Sequence, residues 1–178
     1  MRVLKLSLIL FAFAAAGISG DVLGQGSASD WTKQTAAQIE DRIETKHPVA
    51  YFALAIKRFD EGKRDDATFW LYVGQIRYRA YLLSRPQLDS SGEPALFSSL
   101  MQTVGLPINE YAFGDIPQLM KIIDRTLEWD AKNPDPFTSK SPTRDEVRQG
   151  LLKLKAQVLS ERDSIRAQRT KNKLENRN

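Results

Sequence analysis

Asp66-Ala67-Thr68-Phe69-Trp70-Leu71-Tyr72-Val73-Gly74-Gln75-Ile76-Arg77-Tyr78-Arg79-Ala80-Tyr81-Leu82-Leu83-Ser84 is the stretch on which the fold turns. Phe69, Tyr72, Val73, Ile76, Ala80 and Leu83 recur at helical spacing and make one apolar stripe. Ala67, Leu71, Gly74, Tyr78 and Tyr81 make a second stripe on the other flank. A helix that is apolar on two sides is packed between neighbours, so this segment is predicted as the central element. Two thin polar seams remain, Thr68, Gln75 and Arg79 on one side, Asp66, Trp70 and Arg77 on the other.

Working outward, every flanking segment also repeats with a helical period, and none alternates as a strand would. Upstream, Ser29 or Asp30 can cap a helix carrying Thr32, Ala36, Ile39 and Ile43 on one face, stopped at Lys46-His47-Pro48. Pro48 opens a second helix with the stripe Val49, Phe52, Ala53, Ile56 and Phe59, closed at Gly62. Downstream, 86–93 is a loop of turn formers, 94–104 a short helix closed by Gly105, and 106–114 an irregular link packed over the hairpin as a lid. Asp115 caps a helix running to Lys132 with Ile116, Leu119, Met120, Ile123 and Leu127 in its stripe. Residues 137–142 are a linker. Thr143 and Glu146 form a capping box for a last helix over 143–169, which buries Val147, Leu151, Leu154, Val158 and Ile165. The sum is an all-α, compact bundle of about six helices.

Tyr51, Leu54, Ala55, Gly62, Ala67, Leu71 and Gly74 are spaced as in a tetratricopeptide-type helical hairpin, which the segment 51–74 resembles. Small Ala55 and Ala67 let two helices approach, and Gly74 does the same for the next layer. The sequence departs from the pattern at Arg58, where an aromatic is expected, and near Arg79, where a proline is. No second copy follows at a period near 34, whereas a solenoid needs about three stacked units. The resemblance implies protein binding rather than chemistry.

At the other end of the chain, Arg2 and Lys5 precede the apolar run 6–16, which gives way to Gly17-Ile18-Ser19-Gly20. That order of charged, apolar and small is the layout of a cleavable export signal, and the run falls short of the roughly 20 apolar residues a bilayer span requires. Gly20, Gly24 and Ala28 each offer a small residue at the cut. The expected organisation is a signal peptide over 1–20, a flexible leader over 21–29, a helical core domain over 30–142, a terminal helix over 143–169 and a basic, disordered tail over 170–178. With no cysteine in the chain, disulfides, thiol catalysis and a cysteine-borne lipid anchor are excluded. Export without disulfides points to a bacterial periplasmic or secreted protein.

The net charge of +4 is a property of the end of the chain. Residues 144–178 hold ten Lys/Arg and five Asp/Glu, whereas 29–143 hold fourteen and sixteen. The globule therefore lacks the basic excess of a nucleic-acid binder, while the tail can touch anionic surfaces. No cofactor or metal is implied. The single histidine, His47, reads as a surface or capping residue, and HExxH, G-x-S-x-G and glycine-rich phosphate loops are missing from the sequence. Glu110, Asp115, Glu128 and Asp130 are the carboxylates an exported glycan hydrolase would need, but Glu128 and Asp130 point to different sides of a helix and Asp115 serves as a cap.

Trp70, Gln75, Arg77 and Arg79 on the central helix, with Tyr111, are the candidate partner-binding residues, because Trp, Tyr and Arg dominate binding hot spots. Arginines on a buried helix otherwise need internal counter-charges, which Asp66, Asp115 or Glu128 could supply. These observations predict an exported, non-enzymatic helical protein-interaction module, an inhibitor or immunity factor or an envelope adaptor, with another envelope protein as partner. A small-ligand carrier with a pocket lined by Trp70, Tyr72 or Tyr78 is the alternative, and a carboxylate-dependent cell-wall hydrolase a third reading.

Overall fold

The computed structural model describes residues 31, 33–138 and 141–177. The predicted signal peptide, the leader and the caps Ser29 and Asp30 lie outside them. Among the described residues the fold is all-helical: α1 Ala36–Glu40, a 3-10 turn Ile43–Thr45, α2 Val49–Asp60, α3 Arg64–Leu83, α4 Glu93–Leu100, a π-turn Met101–Gly105, α5 Leu106–Ala112, α6 Ile116–Lys132, α7 Thr143–Ser160 and α8 Arg162–Lys171.

α3 is central, as its two apolar flanks require. One side of it packs with α1, α2 and Ile108 of α5 around Ile39, Phe52, Leu54, Phe69 and Val73. The other presents Tyr72 and Ile76 to Ile116, Leu119 and Ile123 of α6 and to Leu151 and Val158 of α7. Phe69 and Val73 thus face the α2 side rather than sharing a stripe with Tyr72, and Leu83 is 49% exposed. α2 and α3 form a hairpin closed by Gly62, whose φ of +76° is open to glycine at little cost. At Gly74 the helices touch so closely that an added Cβ would lie 2.8 Å from Tyr51 Cβ.

Three local expectations change. α1 is capped by Thr35, whose hydroxyl accepts from Gln38 N while Gln38 bonds back to the Thr35 amide. Residues 106–114 are not an irregular lid: Gly105 keeps helical angles, and the chain runs through the π-turn into α5. A proline inside a helix has no N–H to give and crowds the preceding turn, and the wider π-turn before Pro107 absorbs that mismatch. The terminal helix is two helices, broken at Glu161 (φ −104°, ψ 9°) beside Ser160, whose hydroxyl donates to the Gln157 carbonyl at 2.9 Å. Its start is not a capping box, because Thr143 Oγ1 donates across to the Ala80 carbonyl at 3.1 Å.

Candidate functional site

The predicted partner-binding residues separate into three places. Trp70, 6% exposed, sits in an aromatic cluster with Phe69 (ring centroids 4.7 Å apart), Trp129 (5.4 Å) and Tyr51 (6.1 Å). Arg77 is 1% exposed. Neither reaches a partner's surface in this fold. Gln75 and Arg79 are half-buried, Arg79 over the Phe97 ring at 5.2 Å with its pKa pushed down by burial. Tyr111 alone stands at the edge of a cleft.

The counter-charges of Arg77 are Asp130 and Asp135, not Asp66, Asp115 or Glu128. Arg77 Nε lies 2.8 Å from Asp130 Oδ1, an ion-pair contact without hydrogen-bond alignment, and Nη1 lies 3.7 Å from Asp135 Oδ1. Its remaining donors reach the Pro134 and Asn133 carbonyls, both at 2.9 Å. Asp130, fully buried, also receives Arg144 Nε at 2.9 Å and Arg148 Nη1 at 3.2 Å. Asp135 accepts from Phe137 N at 3.0 Å and from the Thr138 hydroxyl. One carboxylate is shared by guanidinium groups of α3 and α7, and carbonyls cap the rest. This is a lock between helices, with its charged groups inside.

The other carboxylates are also engaged or remote. Asp115 accepts from Gln118 N at 2.9 Å and so starts α6, Glu128 pairs with Lys132 at 2.6 Å along one helix, and Asp66 meets Arg125 at 3.3 Å. Among the described residues no group of three or more His, Asp or Glu side chains is disposed to hold a metal ion, and no helix is long and apolar enough to cross a membrane. His47 is the capping residue of the two readings rather than a free surface one, its Nδ1 accepting from Val49 N at the start of α2 at 3.4 Å. Its ring meets Tyr81, Phe137 and Tyr78 edge-on at 5.0, 5.5 and 5.8 Å. Nε2 lies 3.9 Å from Glu93 Oε2, and burial, opposed by Glu93 and assisted by Arg85, lowers its pKa from the ordinary 6.5.

Tyr111 belongs to a cleft of about 280 Å³ between the start of α3, α5 and the C-terminal residues. Arg64 and Arg177 flank its ring at 5.5 and 3.8 Å, and Phe59 meets it edge-on at 6.3 Å. Its hydroxyl donates to Asp65 Oδ1 at 3.0 Å, and burial together with that bond raises its pKa. The residues read as a disordered basic tail form one wall. Arg177 N donates to the Gly114 carbonyl and its Nη2 to the Tyr111 carbonyl, both at 2.7 Å. Arg169, 8% exposed, donates to the Glu110 and Glu175 carbonyls at 2.8 and 2.6 Å. The C-terminal residues lie close against Gly114, where an added Cβ would come within 2.6 Å of Arg177 Nη1 and 3.0 Å of the Glu175 carbonyl oxygen. The sequence signalled the arginines only as tail charge, because their targets are backbone carbonyls that composition does not reveal.

A second cleft, lined by Ser84, Arg85, Phe137, Thr138, Ser141 and Pro142, is shallow. Trp70, Tyr72 and Tyr78 line neither of these two clefts; all three are buried. One flank of α7 is different in kind. Leu152 and Leu159 are 41% and 46% exposed, and Ala156 between them is exposed too. Their i, i+4, i+7 spacing makes a single apolar row, with Asp145, Gln149 and Asp163 exposed around it.

No protein-family model matches the chain, and no solved structure matches it significantly. An uncharacterized protein of Haemophilus influenzae is 28% identical over 148 residues, covering 79% of this chain. The chain spans about half of that relative's length, 53%.

Proposed function

We propose that the chain is an exported, non-enzymatic helical module that binds another protein of the cell envelope, as an inhibitor or as an adaptor. The observation that carries this reading is the row Leu152–Ala156–Leu159 on α7. Isolated exposed leucines are ordinary, but an apolar row at helical spacing with a polar surround is the form by which one helix docks in a groove of another protein. The resemblance of the 51–74 hairpin to tetratricopeptide units, which bind proteins, supports the same reading. So does the charged, apolar, small order of residues 1–20, which supplies the envelope address.

A photo-crosslinking residue at position 152 or 159 tests it in intact cells, with the same residue at Lys132 as reference. The expected result is one adduct of defined mass from 152 and 159, absent at 132 and lost when Leu159 or Leu152 respectively is changed to Glu. Absence of adducts, or equal adducts from all three positions, overturns the docking face. A reporter active only after export, fused behind residues 1–30, tests the address separately.

A further inference from the structure

The Tyr111 cleft lies apart from the α7 row and has a chemistry of its own. Arg64, Arg169 and Arg177 all line it, and among the described residues none of the three makes an ion pair within 4 Å of a carboxylate. Arg169 and Arg177 are fixed by carbonyl oxygens instead, Arg169 by Glu110 and Glu175, Arg177 by Tyr111. A carbonyl satisfies an N–H but leaves the positive charge in place. Arg169 is more than nine-tenths buried, yet its Nε has no acceptor. Arg64, exposed, is held over the Phe59 and Tyr111 rings at 5.4 and 5.5 Å, which orients the guanidinium while leaving its donors open. Burial and the neighbouring Arg177 press the Arg169 pKa down, against the partial opposition of the Glu110 and Glu175 carboxylates.

We propose that this cleft is a binding site for a small oxyanion, a phosphate or diphosphate group or a polycarboxylate, gripped between Arg64 and Arg177 with Arg169 supplying further charge. Guanidinium groups present paired donors that match the two oxygens of either group, and bonds to an ionised acceptor are the strong ones. Both outer arginines lie against the Tyr111 ring, at 5.5 and 3.8 Å from its centroid, and the Tyr111 hydroxyl is tied to Asp65, itself held by Gln118 Nε2 at 2.9 Å. The cleft size admits a ligand of few atoms rather than a polymer chain. The carboxylates of Glu110 and Glu175 stand nearby and select against anions too bulky to stay clear of them.

Titration calorimetry of the full chain with pyrophosphate and, separately, with citrate tests the site and tells its two ligand classes apart. The expected result is saturable one-to-one binding of one of them, weakened about tenfold or more in Arg64→Gln and in Arg177→Gln. Both positions are exposed, so thermal unfolding of these variants without ligand serves as the control for folding. Amide shifts of Tyr111, Gly114 and Arg177 should move with the same saturation curve. If neither probe binds at millimolar concentration, or if both variants bind as the wild type does, the site is refuted.

Discussion

Gly74 and Gly62 are both glycines of one hairpin, yet they are needed for different physical reasons. At Gly74 the requirement is space, with Tyr51 Cβ 2.8 Å and Phe52 Cε2 3.1 Å from an added Cβ. Gly74→Ala is therefore expected to destabilise by about 1–3 kcal/mol, the range for overpacking, read as a lower urea midpoint at unchanged slope. At Gly62 nothing lies within 4 Å and the requirement is the backbone angle alone. Gly62→Ala should cost about 1–2 kcal/mol, and Gly62→Asn less, because Asn tolerates that region. His47 gives a prediction in pH. Its pKa is lower folded than unfolded, so the unfolded chain binds more protons as pH falls. The histidine's contribution is complete above the ordinary value of 6.5 and is lost as pH drops through the folded value. Between pH 7.5 and 5 the melting temperature of the wild type should fall more than that of His47→Asn; equal slopes would refute this.

At the scale of elements, helical periodicity carried most of the assignment, and what it missed was chain continuity. Stripes such as Ile116, Leu119 and Ile123 report a buried face whatever happens at the ends, so α2, α3 and α6 were legible. Pro107 and Gly105 look like helix breakers in sequence, but a π-turn is a local geometry with no residue signature, and it carries the chain past them into α5. The Thr143–Glu146 pattern was misleading for the opposite reason: the threonine hydroxyl found a better acceptor at Ala80, on a helix far away in sequence. Partner choice among charges was likewise invisible. Asp130 sits on the α6 face turned to α3 and α7, and only the packed arrangement distinguishes it from Glu128, two residues earlier and fully engaged with Lys132. Asp130→Ala leaves Arg77 buried without its main counter-charge and should cost about 3–5 kcal/mol, while Arg77→Met combined with Asp130→Leu should recover a large part of it. Chemical denaturation of the two variants beside the wild type decides this; a double variant no better than Asp130→Ala would contradict it.

For the whole molecule, the ties between distant segments matter more than any one helix. Arg77 of α3, Asp130 of α6 and Arg144 and Arg148 of α7 share one network, and Arg169 and Arg177 bind the end of the chain to the α5–α6 corner. Unfolding is accordingly expected as one transition, with tryptophan fluorescence, which reports Trp31, Trp70 and Trp129, and far-ultraviolet circular dichroism superimposing. A chain ended at residue 142 loses Arg144, Arg148 and the helix that covers Ile123, and should fail to give a cooperative melt. The all-helical class and the central place of α3 followed from the sequence. The folded-back C-terminus did not, because a basic stretch with few apolar residues gives no sign of the carbonyls that receive it.

Arg77 has one further consequence, and it concerns time. The chain is made from its first residue onward, and Arg77 emerges 56 residues ahead of the Asn133 carbonyl that it donates to in the finished fold. Through that interval the guanidinium stays in water on the α3 face that α6 and the segment after it will cover. That face of α3 therefore ripens late: it stays hydrated and pliable until residues 129–135 have been delivered to cover it.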